Sequence, residues 1–168
     1  MGRIRLETRI RAPITRVFDL ARDIDLHEAS MASSGEKAVG GRTTGLIESG
    51  ETVTWRARHF GVAMQLTSRI TAFDPPRRFV DEQVSGPFAS FRHEHQFSSD
   101  ENETTMNDDW RHASPFGWIG RLVDALVLDR YMRRQLRIRA GAIKRAAEQM
   151  APGGAPAESQ PAASAAER

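Results

Sequence analysis

Residues 88–97 read Phe88-Ala89-Ser90-Phe91-Arg92-His93-Glu94-His95-Gln96-Phe97. Successive side chains of a strand point to opposite faces. Phe91, His93, His95 and Phe97 therefore share one face, and Arg92, Glu94 and Gln96 share the other. The first face suits a core and the second suits water. The same period recurs nearby. Residues 104–112 put Met106, Asp108, Trp110 and His112 together, and residues 78–84 put Phe79, Asp81 and Gln83 together. Residues 52–60 put Val53, Trp55, Ala57 and His59 together, and the run 62–73 carries Leu66. Turn signals separate these runs at Gly40-Gly41, Ser49-Gly50, Gly61, Asp74-Pro75-Pro76, Ser85-Gly86-Pro87 and Ser98-Ser99-Asp100. Short strands joined by short turns predict an antiparallel meander.

Further out, residues 3–11 alternate in the same way. Ile4, Leu6, Thr8 and Ile10 face one side, while Arg3, Arg5, Glu7, Arg9 and Arg11 face the other. Pro13 suits the first turn of a helix, and Ile14, Val17, Phe18 and Ala21 follow at helical spacing. A second short helix is predicted over 23–32. At the other end, residues 118–150 predict one long helix. Ile119, Leu122, Leu126, Leu136, Ala140, Ile143 and Ala147 fall on one side of it. At helical rise it would run about 45 Å, enough to cross a sheet. Asp129 and Arg133 sit one turn apart, acid before base, as an ordinary helix pair. Residues 151–168 are mostly Ala, Pro, Gly and Ser and predict a disordered tail. The expected class is α+β: about seven antiparallel strands curved around a long C-terminal helix, with two short helices after the first strand. The expected domain is 1–150.

The 168 residues suit one such domain, and the 22 Arg and 2 Lys against 22 acids leave a net charge of only +2. The sequence pI of 9.6 reflects the arginine bias more than a large positive field. Arg130, Arg133, Arg134, Arg137 and Arg139 scatter around the helix, which predicts a solvated surface and no nucleic-acid partner. No apolar run approaches a membrane span, so no stable membrane insertion is expected. The N-terminal residues lack the apolar stretch of a secretory signal, and there is no cysteine. The expected location is the cytoplasm.

The inward faces hold polar groups among aromatics: His59, His93, His95, Asp81, Gln83 and Asp108. Burying such a group without a partner costs roughly 1–3 kcal/mol. They must therefore bond one another, water or a ligand. Apolar walls with a few convergent polar groups are the usual makeup of a small-molecule pocket.

Several motifs occur in one order: A-P-x-x-x-V-F at 12–18, D-P-P-R-R-F at 74–79, F-V-D-E-Q at 79–83, G-P-F-A-S-F-R-H-E-H-Q-F at 86–97, T-x-M-x-D at 104–108 and P-F-G-W-I-G at 115–120. Over residues 3–148 the chain resembles the START-like, or SRPBCC, helix-grip superfamily, in particular its bacterial polyketide-cyclase-like or coenzyme-Q-binding-like branch. The resemblance implies a sheet gripping the C-terminal helix around a hydrophobic pocket. It implies ligands such as lipids, sterols, quinones or polyketides. Phe91, His93, His95 and Phe97 match a pattern of that branch, whereas Trp110 and His112 stand where aliphatic and aromatic residues are expected. The expected ligand-binding set is Trp55, His59, Leu66, Asp81, Gln83, Phe91, His93, His95, Phe97, Asp108, Trp110 and Leu126.

Two functions remain open on the residues alone. The first is a non-catalytic carrier or sensor of a hydrophobic small molecule. The second is a cyclase, dehydratase or aromatase, with His93 or His95 moving protons and Asp81 or Asp108 orienting the imidazole. No G-x-S-x-G, phosphate loop or dinucleotide fingerprint is present. A metal site on His93, His95 and His59 has less support, because H-x-H on a strand is a short pattern. No metal or other cofactor is expected.

Overall fold

β1 (Gly2–Ile10) buries Ile4 and Ile10 while its arginines stay at the surface. It pairs antiparallel with β7 (Glu103–Ala113), setting Ile4 opposite Trp110 and Leu6 opposite Asp108. The computed structural model describes residues 2–59, 61–113 and 128–149, except the side chain of His59. Between β1 and the meander lie α1 (Ile14–Ala21), α2 (Ile24–Ser30) and a 3-10 turn at Ala32–Ser34. The meander comprises β2 (Lys37–Gly41), β3 (Thr52–His59), β4 (Val62–Asp74), β5 (Arg78–Ser85), β6 (Ser90–Asp100) and β7. The seven-stranded sheet has the order β1-β7-β6-β5-β4-β3-β2. The final described helix, α3 (Asp129–Gln149), packs against β1, α1 and α2.

The expected class, strand number and helix order match this architecture. Pro13 precedes α1 as its cap in an extended conformation instead of occupying its first turn. Asp23 caps α2 by accepting from the backbone N–H groups of Asp25 and Leu26, satisfying donors that a helix start leaves orphaned. Leu136, Ala140, Ile143 and Ala147 form the buried stripe of α3. The expected helical stretch 118–127, with Leu126, lies outside the described residues, as does the tail 151–168.

β4 changes parity partway along. Leu66, Ser68 and Ile70 point inward, and then a register shift between Ile70 and Ala72 brings Phe73 to the same side. The extra residue is what a β-bulge inserts. Strict alternation along 62–73 would have sent Phe73 to solvent. Instead its ring meets Phe18 at 5.6 Å. Phe18 also packs edge-on against Phe79 and Phe97, at 5.6 and 5.4 Å. This aromatic knot joins α1 to the sheet and centres the main core.

A second core cluster holds Ile4, Phe91, Trp110 and Leu136, with Leu66, Phe88 and Met132 against it. The two clusters lie on the same side of the sheet. The outward side carries interleaved charges: Arg3 and Arg111 both bond Asp109, and Arg78 and Arg92 both bond Glu94.

Candidate functional site

The β5–β6 register sets Asp81 opposite His93 and Phe79 opposite His95. The β6–β7 register sets His95 opposite Asp108 and His93 opposite Trp110. Alternation turns Asp81, His93, His95 and Asp108 to the inner side, where they meet. Asp108 Oδ1 accepts a hydrogen bond from His93 Nε2 at 3.1 Å. The same oxygen lies 2.7 Å from His95 Nδ1, but the ring N–H is not directed at it, so this is an electrostatic contact. The imidazoles of His93 and His95 are 3.8 Å apart between centroids. Phe79 stacks on the other face of His95 at 4.3 Å.

His93, His95 and Asp108 are buried, and Asp81 is half-buried. Burial lowers the His95 pKa to about 4, and the neighbouring His93 adds to the effect. At neutral pH its imidazole is therefore uncharged. Burial alone would raise the Asp108 pKa, but the contacts from His93 and His95 outweigh it and hold the carboxyl well below the usual range. Asp108 is thus an ionised carboxylate inside the protein, with the two histidines as its near partners.

Next to this cluster is a cavity of about 40 Å³ between the sheet, the α1–α2 region and α3. Val53, Trp55, Ile70 and Phe79 give it apolar walls, and Asp81, His95, His27 and Arg139 give it polar ones. A drug-sized ligand needs roughly 300–1,000 Å³, so admitting one requires these side chains to part. Arg139 donates to the carbonyl of Ala21 at 2.5 Å. It keeps some accessible surface because it lines the cavity, yet burial still lowers its pKa, against Asp81, Asp108 and Glu36, which raise it. His27 bonds Glu36 through Nε2 at 3.0 Å and stacks on Trp55.

The sequence-predicted residues separate into groups. Trp55, Asp81 and His95 line this cavity, and His93 and Asp108 stand directly behind them. Phe97 packs in the main core against Phe18. Leu66, Phe91 and Trp110 belong to the second cluster. Gln83 donates to the Phe88 carbonyl at 2.7 Å and so ties down the β5–β6 turn. His59 ends β3, with its side chain outside the described residues. Asp129, expected as a helix partner of Arg133, reaches instead to 3.5 Å from His112.

Most of the cavity lining lay outside the expected set, His27 and Arg139 among it. His27 sits on a two-turn helix whose periodicity is weak. Arg139 lies in the arginine-rich stretch expected to be solvated as a whole; its guanidinium turns inward instead. Its spacing of three residues from Leu136 and four from Ile143, both buried, was the available signal.

A family model described as polyketide cyclase / dehydrase and lipid transport matches residues 1–148. No curated protein gives a significant sequence match. Among solved structures, the chain is similar to the protein TTHA0849 from Thermus thermophilus, with 17% identity, a TM-score of 0.69, and coverage of 86% of this chain and 95% of that one. It is also similar to a START superfamily protein from Mycobacterium smegmatis, at 11% identity, TM-score 0.65, and coverage of 89% and 99%. A third is the major latex-like protein 151 of Panax ginseng, at 14% identity, TM-score 0.63, and coverage of 87% and 97%. At these identities the structural matches establish the fold alone, and it is the helix-grip fold. The family model spans nearly the whole described chain, and the chain belongs to the polyketide cyclase / dehydrase and lipid transport family, within the START-like SRPBCC proteins.

Proposed function

We propose that this protein binds a hydrophobic small molecule between the sheet and α3, as a carrier or sensor and not as an enzyme. A lipid, an isoprenoid quinone, a polyketide or another aromatic fits the chemistry. The observation that carries this reading is the mixed lining of the cavity. Apolar walls from Val53, Trp55, Ile70 and Phe79 meet polar groups at Arg139, His27, Asp81 and His95. An apolar body would lie on the walls, and a carbonyl or acidic end would meet the guanidinium. Leu66, Phe91 and Trp110 offer an adjoining apolar cluster into which a longer ligand would extend. The interleaved charges on the outer side of the sheet support a protein without a nucleic-acid partner, and we retain the expectation of a cytoplasmic location.

The test is native mass spectrometry of gently purified protein, followed by titration with a panel of fatty acids, quinones and aromatic polyketides, read by tryptophan fluorescence. The expected results are an organic adduct of hundreds of daltons and saturable quenching. Replacement of Ile70 by Trp should weaken binding by filling the cavity. A bare chain with no response to the whole panel would refute the reading.

A second reading has its own support. His95 and Asp81 both face the cavity, and a neutral histidine there is able to accept a proton. This is the cyclase or dehydratase alternative, with His93, His95, Asp81 and Asp108 as the acid–base groups. Equal turnover of a candidate polyketide by the wild type and by His93→Ala would remove it for His93.

A further inference from the structure

We propose that Asp81, His93 and His95 form a binding site for one divalent transition-metal ion, with Asp108 orienting the imidazole of His93 and lying against that of His95. Asp81 Oδ1 lies 3.9 Å from His93 Nδ1 and 3.8 Å from His95 Nε2. The three donor atoms all fall within 4.8 Å of one another. These spacings are too long for hydrogen bonds. They are close to what a shared ion needs: bonds of about 2.0–2.1 Å in a tetrahedral site place neighbouring ligand atoms about 3.4 Å apart. Small side-chain rotations close the difference.

Asp108 determines which nitrogen of His93 is available, and its charge lies beside Nδ1 of His95. It faces His93 Nε2 at 3.1 Å and His95 Nδ1 at 2.7 Å. A carboxylate favours the N–H on the nitrogen nearest to it, and a neutral imidazole then carries its lone pair on the other nitrogen. Those other nitrogens are His93 Nδ1 and His95 Nε2, the two atoms that face Asp81. Asp81 Oδ1, His93 Nδ1 and His95 Nε2 face one another across a gap that a shared ion would bridge. His95 Nε2 is buried and has no hydrogen-bond partner among the described residues.

The charge balance points the same way. Asp81 and Asp108 put two carboxylates on the imidazole pair, at 3.8–3.9 Å and 2.7–3.1 Å. A divalent ion would neutralise the excess. Two imidazoles and one carboxylate, with a second carboxylate behind the rings, suit zinc or iron(II). Asp81 and His95 also line the cavity, which gives the ion a route in and leaves open coordination positions facing it. The expected H-x-H pair is thus completed by Asp81 from β5. This site does not depend on the binder reading.

The test uses the full chain, stripped with a chelator and titrated with Co²⁺, read by visible absorption, bound metal per chain and melting temperature. One equivalent of Co²⁺ should bind, be displaced by Zn²⁺ and raise the melting temperature. His95→Gln should abolish binding, and Asp108→Asn should weaken it roughly 10–100-fold. If His95→Gln fails to fold, Asp81→Asn decides, since Asp81 is half-buried and lies at the cavity wall; a loss of at least about tenfold is expected there. No Co²⁺ uptake by the folded wild type would overturn the proposal. So would equal uptake by wild type and Asp81→Asn, which would mean the ion sits elsewhere.

Discussion

His27 lies flat against Trp55, with ring centroids 4.1 Å apart and planes 19° from parallel. The stack holds the imidazole over the apolar wall of the cavity, where charging it is costly. Burial is the main reason its pKa is lowered, and the charge of Arg139 adds to it, against Glu36. The unfolded chain binds this proton more readily, near the ordinary histidine pKa of about 6.5. The contribution of His27 to stability is therefore complete above that pH and is lost as pH falls below it. Urea midpoints of the wild type should drop between about pH 7.5 and 5.5, and His27→Gln should drop less steeply. Parallel pH profiles for the two proteins would count against this account.

Glu94 should act at lower pH. Burial alone would raise its pKa, but hydrogen bonds from Gln96, Arg78 and Arg92 outweigh that and hold it at about 2. The stability it adds is present above the unfolded value of about 4.3 and is lost as pH falls toward about 2. Its arginine partners are partly exposed, so solvent screening limits the gain to about 1–2 kcal/mol. Glu94→Gln should be less stable than wild type at about pH 7 and nearly equal to it at about pH 2.5. An unchanged difference across that range would show that the ion pairs carry no net stability.

Asp108 is the buried anion on which His93 and His95 converge. Asp108→Ala leaves the buried His93 donor without its acceptor and opens a cavity, a loss of about 2–4 kcal/mol. Asp108→Asn keeps the shape and one acceptor oxygen and should cost about 1–3 kcal/mol. Urea unfolding of both variants checks the order. A fully stable Asp108→Ala protein would mean that the cluster is unimportant to the fold.

Phe18 is 2% exposed and touches Phe73, Phe79 and Phe97. Phe18→Ala should cost about 3–5 kcal/mol, because a knot of rings cannot collapse into the space left. Thermal unfolding followed by circular dichroism measures this directly. A loss below about 1 kcal/mol would place the core elsewhere.

Most of the sheet was legible because one physical rule, alternation about a half-buried plane, operates along β1, β3, β5, β6 and β7. That rule alone put His93, His95, Asp81 and Asp108 on a common side. It failed at Phe73, where an extra residue reverses the parity and leaves no mark in composition. It did not separate the residues beside the cavity from those packed in the apolar clusters. An inward-facing residue is not necessarily a cavity residue, and Phe97, Leu66, Phe91 and Trp110 face inward to fill core. What strand periodicity could not reach were groups brought in by other elements. Arg139 arrives from α3 and His27 from α2, and only the packing of helices on the sheet determines that they meet Asp81. The second short helix was anticipated at 23–32, but nothing in its spacing singled out His27.

Among the described residues the sheet ends at β1 and β2, whose outer edges pair with no further strand; Lys144 covers the Arg9 carbonyl of β1 and Glu28 the Ala38 N–H of β2. Such edges invite strands from other molecules. At one end, β2 is five residues long and its register slips between Ala38 and Gly40, so it offers too short and irregular a template to extend. At the other, β1 lines its outward side with Arg3, Arg5, Glu7 and Arg9, three cations to one acid, so an incoming copy would meet a row of mostly like charge. Edges of this kind are where fibre growth begins. Here the two places where growth would begin are blunted by brevity and by like charge.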